Sequence, residues 1–187
     1  MKKIPSVFDR DWNGDRSRVL DKANPECAWV LAGEGTPTRK RDGTACLVRD
    51  GKLYKRFDCK KGKTPPPGFA PCGDPDPMTG HHPGWLPVGD GPEDQWHRSA
   101  PMPTEDGTYE LIGPKLQGNP EGEISHRFIR HGAEVLDDCV RSFAGIEAFL
   151  RLHCIEGIVY HQSDGRMSKI KAKDFGLEWP RGKGGAP

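Results

Sequence analysis

The sequence has little of what would mark a secreted, membrane-spanning or uniformly basic protein. None of its six cysteines (Cys27, Cys46, Cys59, Cys72, Cys139, Cys154) lies in a C-x-x-C pair. A chain of 187 residues can bury a core without disulfide staples, so reduced structural thiols are expected. The longest apolar runs, Ala28–Gly33 and Gly157–Tyr160, fall far short of the roughly 20 residues a membrane helix needs, and no membrane partner is expected. Met1-Lys2-Lys3-Ile4-Pro5 is not followed by an apolar core of signal-peptide length, which leaves the cytoplasm as the default location. Nor does one sign of charge dominate: 28 basic and 27 acidic residues give a net charge of +1. That balance excludes a uniformly cationic coat, and nucleic-acid binding would have to come from a local patch.

Glycine and proline are abundant instead, at 24 and 18 residues, more than a fifth of the chain. Together with 34% hydrophobic residues this still leaves enough apolar material for a buried core, and the length favours a single domain over residues 1–187. Residues 1–25 form a polar N-terminal segment with a turn signal at Asp11–Asp15. Cys27–Ala32, Thr44–Arg49 and Lys52–Phe57 read as strands, the last two joined through Asp50-Gly51, a strong hairpin signal. Residues 58–106 hold most of the proline and read as a long loop. Phe69, Trp85, Leu86 and Trp96 anchor it, since a mobile linker would rarely carry two tryptophans.

Thr108–Ile112 and Ile124–Ile129 are strand-like. The one well-patterned helix is Phe143–His153, capped by Ser142, with Phe143, Ile146, Ala148, Phe149, Leu150 and Leu152 largely on one side. Gly157–Gln162 and Met167–Ala172 flank a Ser163-Asp164-Gly165 turn and predict a second hairpin. The fold class expected from this pattern is α+β, built on antiparallel β-sheets with few helices.

Three short strings carry chemistry: Lys40-Arg41-Asp42-Gly43, Glu156-Gly157-Ile158-Val159 and Lys169-Ile170-Lys171. An ordinary lysine, with a pKa near 10.4, is a poor nucleophile at neutral pH and needs nearby cations or desolvation to become one. Lys169 and Lys171 lie two apart on a strand and share a face, so the pair can flank a phosphate and depress the pKa of Lys40. Glu156 can hold a divalent cation beside that phosphate, and Gly43 lets backbone approach closely. Asp42 is either a turn residue or a support for its neighbours. Arg49, Lys52, Lys55, Arg56, Lys60, Lys61 and Lys63 form a local basic excess that could steer an RNA backbone or simply decorate a hairpin. Cys59, Cys72, His81 and His82 lack the close-paired spacing of structural zinc sites.

In this order the three strings resemble motifs I, IV and V of the covalent nucleotidyltransferases, the polynucleotide ligases and RNA-capping enzymes. Further strings narrow the resemblance. Glu110-Leu111-Ile112-Gly113 with Gly118-Asn119-Pro120 looks like the motif III region, and Arg56 sits where motif Ia places a phosphate-binding arginine. Gly80–Val88, Trp96-His97, His131-Gly132-Ala133, Glu156–Asp164 and Gly176–Pro180 then look like the stand-alone, vertebrate-type ATP-dependent 5′-to-3′ RNA ligases in a short form, over about Thr36 to Pro180.

The resemblance implies an adenylyltransferase domain of the ATP-grasp-like ligase type. With 16 residues left after motif V, no C-terminal OB domain is expected. It also implies ATP and Mg²⁺ (or Mn²⁺) as cofactors, and RNA with 5′-phosphate and 3′-hydroxyl ends as substrate. Lys40 would form lysyl-AMP; Lys169, Lys171 and Arg56 would clamp phosphate; Glu110 would hold the ribose; Glu156 would face the metal. Phe128 is the nearest candidate for an adenine-stacking aromatic, in a strand that core packing could equally claim. The alternatives are a non-catalytic RNA-binding module of the same fold and an RNA-capping guanylyltransferase.

Overall fold

The structure, a computed structural model, describes residues 3–180. Among the described residues eleven strands follow one another: β1 (Phe8–Arg10), β2 (Val19–Ala23), β3 (Thr36–Lys40), β4 (Thr44–Arg49), β5 (Lys52–Cys59), β6 (Ala70–Pro71), β7 (His82–Pro87), β8 (Gly107–Ile112), β9 (Arg127–Arg130), β10 (Gly157–His161) and β11 (Met167–Lys171). Three α-helices are interspersed: α1 (Ala28–Leu31), α2 (Gln95–Arg98) and α3 (Phe143–His153). All pairings between these strands are antiparallel, so the α+β class holds. The described residues fold as two compact units. One comprises Lys3 and Asp42–His131, the other Ile4–Arg41 and residues 132–180.

The first unit is a six-stranded sheet in the order β6-β7-β5-β4-β8-β9. Its β4–β5 turn is the Asp50-Gly51 pair, both at positive φ (52° and 66°), the backbone twist that a two-residue hairpin requires. Residues 58–106 are more than a loop. They contain β7, a six-residue strand between β5 and β6 whose prolines, Pro83 and Pro87, sit near its two ends while Gly84–Leu86 carry the centre. Trp85 is buried there. Strand-averse proline hid the strand from sequence reasoning, because proline weakens a ladder only at its own position. Ile124–Ile129 also needs correction: the strand is Arg127–Arg130, and Ile124 is exposed.

The second unit carries a three-stranded sheet, β11-β10-β3, and a two-stranded ribbon, β1-β2, inside the N-terminal segment that looked merely polar. Residues just before β1 extend the three-stranded sheet. Val7 donates its amide to the Lys169 carbonyl and Lys169 donates to the Pro5 carbonyl, both at 2.9 Å. On the far edge, Arg39 donates to the Glu134 carbonyl at 2.8 Å and Leu136 to the Pro37 carbonyl at 2.9 Å. One face of this sheet is core, where Ile158, Tyr160 and Ile170 pack with Val7, Phe8, Val30, Ile146 and Leu150.

Helix α3 has the bounds its periodicity predicts. The Ser142 hydroxyl accepts from the Gly145 amide at 3.1 Å, Ile146, Phe149 and Leu150 face inward, and Cys154 closes the helix in the left-handed region at φ 51°. Leu152, counted in the apolar stripe, faces solvent.

Cys27–Ala32 is not a strand. It is a 3-10 turn over Pro25–Cys27 running into α1. The Asn24 side chain accepts the Glu26 amide at 3.0 Å, with Pro25 at the first helical position, and Trp29 ties back to the Glu26 carbonyl at 3.1 Å. A six-residue apolar run suits a buried strand and a buried helical turn equally; the Asn-Pro cap preceding it is the deciding signal.

Candidate active site

The register of the three-stranded sheet builds the site in the second unit. Gly157, first in the central β10, is paired with Lys40 of β3 on one side and Lys171 of β11 on the other. Directly paired residues in antiparallel strands point to the same face, so both lysines rise beside a position that has no side chain. A Cβ on Gly157 would overlap the Ile170 carbonyl, which is why glycine is required there. Glu156, immediately before, is buried and bridges the two cations: its Oε2 lies 2.5 Å from Lys40 Nζ and its Oε1 3.0 Å from Lys171 Nζ.

Two residues further along the same face, Val159 pairs with Thr38 and Lys169. The face therefore presents Lys40, Lys169 and Lys171 around one carboxylate. Burial, then the ammonium groups of Lys171 and Lys40, pulls the Lys169 pKa down from 10.5 to about 8. The sequence argument attached a depressed pKa to Lys40; the structure shows one at Lys169. Thr38 donates to the Val159 carbonyl at 3.0 Å, and the His161 ring nitrogen Nε2 lies 3.1 Å from its hydroxyl.

Two acids that sequence reasoning passed over brace this sheet. Asp174 accepts the Lys171 amide at 2.9 Å and pairs with Arg10 at 2.9 Å. The two carboxylate oxygens of Glu134 accept from Nε and Nη2 of Arg41, at 2.7 and 2.6 Å. Asp174 lies three residues after Lys171, a spacing usual at helix starts that could have revealed it; Glu134 had no sequence signal.

The first unit holds the other three candidates. Glu110 of β8 and Arg56 of β5 are on one face of the six-stranded sheet, by the pairings Ala45–Glu110 and Arg56–Trp85. Arg56 stacks over Trp85 at 5.6 Å and donates to Cys72 Sγ at 3.6 Å. The Oε1 of Glu110 accepts the Gly43 amide at 3.1 Å, and its Oε2 meets His131 Nε2 at 2.9 Å. A Cβ on Gly43 would overlap the Leu111 carbonyl, so the close approach this glycine permits is to β8.

Phe128 pairs with Leu111 and lies on the opposite face from Glu110, packed on Cys46 and Leu111 and edge-on to Tyr109 at 6.3 Å. That leaves it half-buried, packed against the core of this unit. The basic excess over residues 49–63 is thinner than its count suggests. Lys55 is tied to buried Asp94 at 2.6 Å and Arg49 lies over Tyr54, while Lys52, Lys60, Lys61 and Lys63 are exposed. No group of three or more His, Cys, Asp or Glu that could hold a metal occurs among the described residues. All six cysteines are free thiols, and no helix among the described residues is long and apolar enough to cross a membrane.

Residues 99–184 match the family model described as RNA ligase 1. A curated relative, RNA ligase 1 of Pongo abelii, is 36% identical over 86 residues, covering 39% of this chain and 25% of the relative. The chain thus spans about a quarter of the length of the relative it matches. The RNA ligases reached from the motifs are the family these comparisons return. The matched stretch includes Glu110, His131, Glu156, Lys169 and Lys171; Lys40 and Arg56 precede it.

Proposed function

We propose that this protein is an ATP-dependent RNA ligase that works through a lysyl-AMP intermediate on Lys40, in a nucleotidyltransferase-type fold. The observation that carries the reading is the Lys40–Glu156–Lys171 row across Gly157, with Lys169 next along the same face. A solvated lysine edge would not need a buried carboxylate joined to two ammonium groups, nor a third lysine desolvated enough to lose charge near pH 8.

In this reading the Lys40 amine, having released its proton, attacks the α-phosphorus of ATP. The new N–P bond forms as the P–O bond to pyrophosphate breaks. Glu156 holds the ammonium of Lys40 in place before nucleotide arrives and balances Lys171. Lys169 and Lys171 offset the charge that grows on the phosphoryl oxygens, positioning and electrostatics being the main sources of rate here. AMP then passes to an RNA 5′-phosphate, and a 3′-hydroxyl displaces it to seal the strand. The resemblance further assigns Arg56 to a phosphate and Glu110 to the ribose hydroxyls.

The donor set fits a magnesium ion held mainly by nucleotide phosphates and water, with Glu156 as its protein carboxylate. It does not fit an all-protein cage, since no group of three or more His, Cys, Asp or Glu that could hold a metal occurs among the described residues. When bound, the ion would supply charge neutralisation on the phosphates.

The test is the intact mass after incubation with ATP and Mg²⁺. The expected result is a gain of one AMP, absent in Lys40→Ala and not produced by GTP. GTP labelling in place of ATP would point to a capping-type guanylyltransferase. No adduct with either nucleotide, on protein shown to arrive free of AMP, would refute catalysis and leave an RNA-binding module of this fold.

A further inference from the structure

The loop joining β1 to β2, residues 11–18, is exposed almost throughout, yet it is heavily bonded within itself. Asp11 Oδ1 accepts the Gly14 amide at 2.8 Å. Asp15 Oδ1 accepts both the amide and the hydroxyl of Ser17, at 2.9 and 2.6 Å. Across the neck of the loop the Asp11 amide donates to the Arg18 carbonyl at 3.0 Å. Nη1 of Arg10 donates to the carbonyls of Arg16 and Ser17, at 3.1 and 3.2 Å. These bonds set the shape of the loop in advance, so little ordering entropy is left to lose on binding.

What the loop holds out is Trp12. It is 65% exposed, and no ring or cation among the described residues stacks on it. Trp29, Trp85 and Trp179 are buried, and Trp96 is half-buried against the His126 ring at 5.2 Å. Scattered exposed aliphatic residues need no explanation, but a tryptophan face held open by a braced loop does.

Both ends of the loop are tied to the turn that follows Lys171. Arg10 Nη2 lies 2.9 Å from Asp174 Oδ1, and Asp174 Oδ2 accepts the Lys171 amide at 2.9 Å. Arg18 donates to the Phe175 carbonyl, and its guanidinium fills the space that a Cβ on Gly176 would take. Trp12 is thus carried in the same unit as the Lys40–Glu156–Lys171 row, on a loop anchored within five residues of Lys171. The loop's acids are engaged in capping its own backbone. Arg16 on the loop and Lys173 in the turn are exposed, with no side-chain ion pair among the described residues. An open aromatic face and unengaged cations near a phosphate-handling row match an unpaired polynucleotide, whose bases stack and whose backbone is anionic. Every other residue of the loop is polar or glycine, so a protein partner would find no apolar patch around the ring.

We propose that the β1–β2 loop binds the single-stranded end of the RNA, with Trp12 stacked on an unpaired base and Arg16 on a backbone phosphate. This rests on the ligase reading above and adds a contact to the substrate that lies outside the strings used to reach it.

The experiment titrates the full chain with a 5′-phosphorylated, unstructured oligoribonucleotide in the absence of ATP, alongside AMP-adduct formation by the wild-type protein. RNA should quench tryptophan emission, and Trp12→Ala should lose most of that quench. By anisotropy of a 3′-labelled oligoribonucleotide, Trp12→Ala should bind about tenfold more weakly than the wild type. Trp12 lies outside the core, so its truncation leaves the fold in place. Trp12→Phe keeps a ring face and should recover part of the affinity. Arg16→Ala should weaken binding and reduce the log–log salt slope by about 0.7, the signature of one phosphate contact. Wild-type affinity in Trp12→Ala, or a Trp12→Phe that binds no better than Trp12→Ala, would overturn the proposal. A wild-type protein that forms the AMP adduct but binds no RNA would overturn it too, while the ligase reading stands. Absence of the adduct refutes the ligase reading by itself; RNA affinity that still depends on Trp12 would then support the same surface in an RNA-binding module. Self-association of the wild type that Trp12→Ala abolishes, with RNA affinity unchanged, would make the loop a protein contact and overturn the proposal.

Discussion

Lys169→Met removes the ammonium that the site desolvates while keeping a side chain of similar length and apolar stem. The native Lys169 binds its proton less tightly than an unfolded lysine, with a pKa of about 8 against 10.5. Between those values the unfolded chain holds more protons, so native stability rises with pH across the window; below about pH 8 both states are protonated and the full penalty applies. At 1.36 kcal/mol per pH unit the fall from 10.5 corresponds to roughly 3 kcal/mol. Lys169 is only partly buried, which screens the interaction and leaves about 1–2 kcal/mol. The variant should therefore be more stable than the wild type by that amount at pH 7, and the gap should close as pH approaches 10.5. Urea unfolding of both proteins at several pH values between 7 and 10.5 measures it. AMP-adduct formation should disappear in the same variant, the exchange of stability for function expected at a strained site. A Lys169→Met protein that is less stable at pH 7, or whose advantage does not change with pH, would show that the lysine is not held at an electrostatic cost.

Glu156→Gln removes the carboxylate between Lys40 and Lys171. It should abolish the AMP adduct and cost about 1–3 kcal/mol in chemical denaturation, with part of the loss recovered when Lys171→Met is added and the cation pair is relieved. Gly157→Ala drives a Cβ into the Ile170 carbonyl. It should destabilise by about 1–3 kcal/mol in urea unfolding and block adduct formation even under conditions where the protein stays folded.

Much of the site could be read from the chain. Lys40, Glu156, Lys169 and Lys171 stand out because the proposed chemistry would need those residue types in that order, and β10 and β11 form a local hairpin whose turn is written in Ser163-Asp164-Gly165. What could not be read was the partner of β10 on its other edge. Lys40 and Glu156 are 116 residues apart, and nothing local signals that β3 docks there. The desolvation of Lys169 has the same origin, since polar-looking residues 5–7 extend the edge of β11 and bonds from Val7 and to Pro5 cover its backbone.

By itself, the sequence determined the α+β class, the Asp50-Gly51 and Ser163–Gly165 turns, the bounds of α3 and the residue types of the site. These depend on spacing, caps and turn chemistry within a few residues of one another. Tertiary structure alone decided that Phe128 faces core, that β7 threads through the proline-rich stretch, and that His131 meets Glu110. Each of these is a question of strand register, where a shift of one residue turns every side chain to the other face. Register is set by what the whole sheet buries, and no short segment of chain contains that.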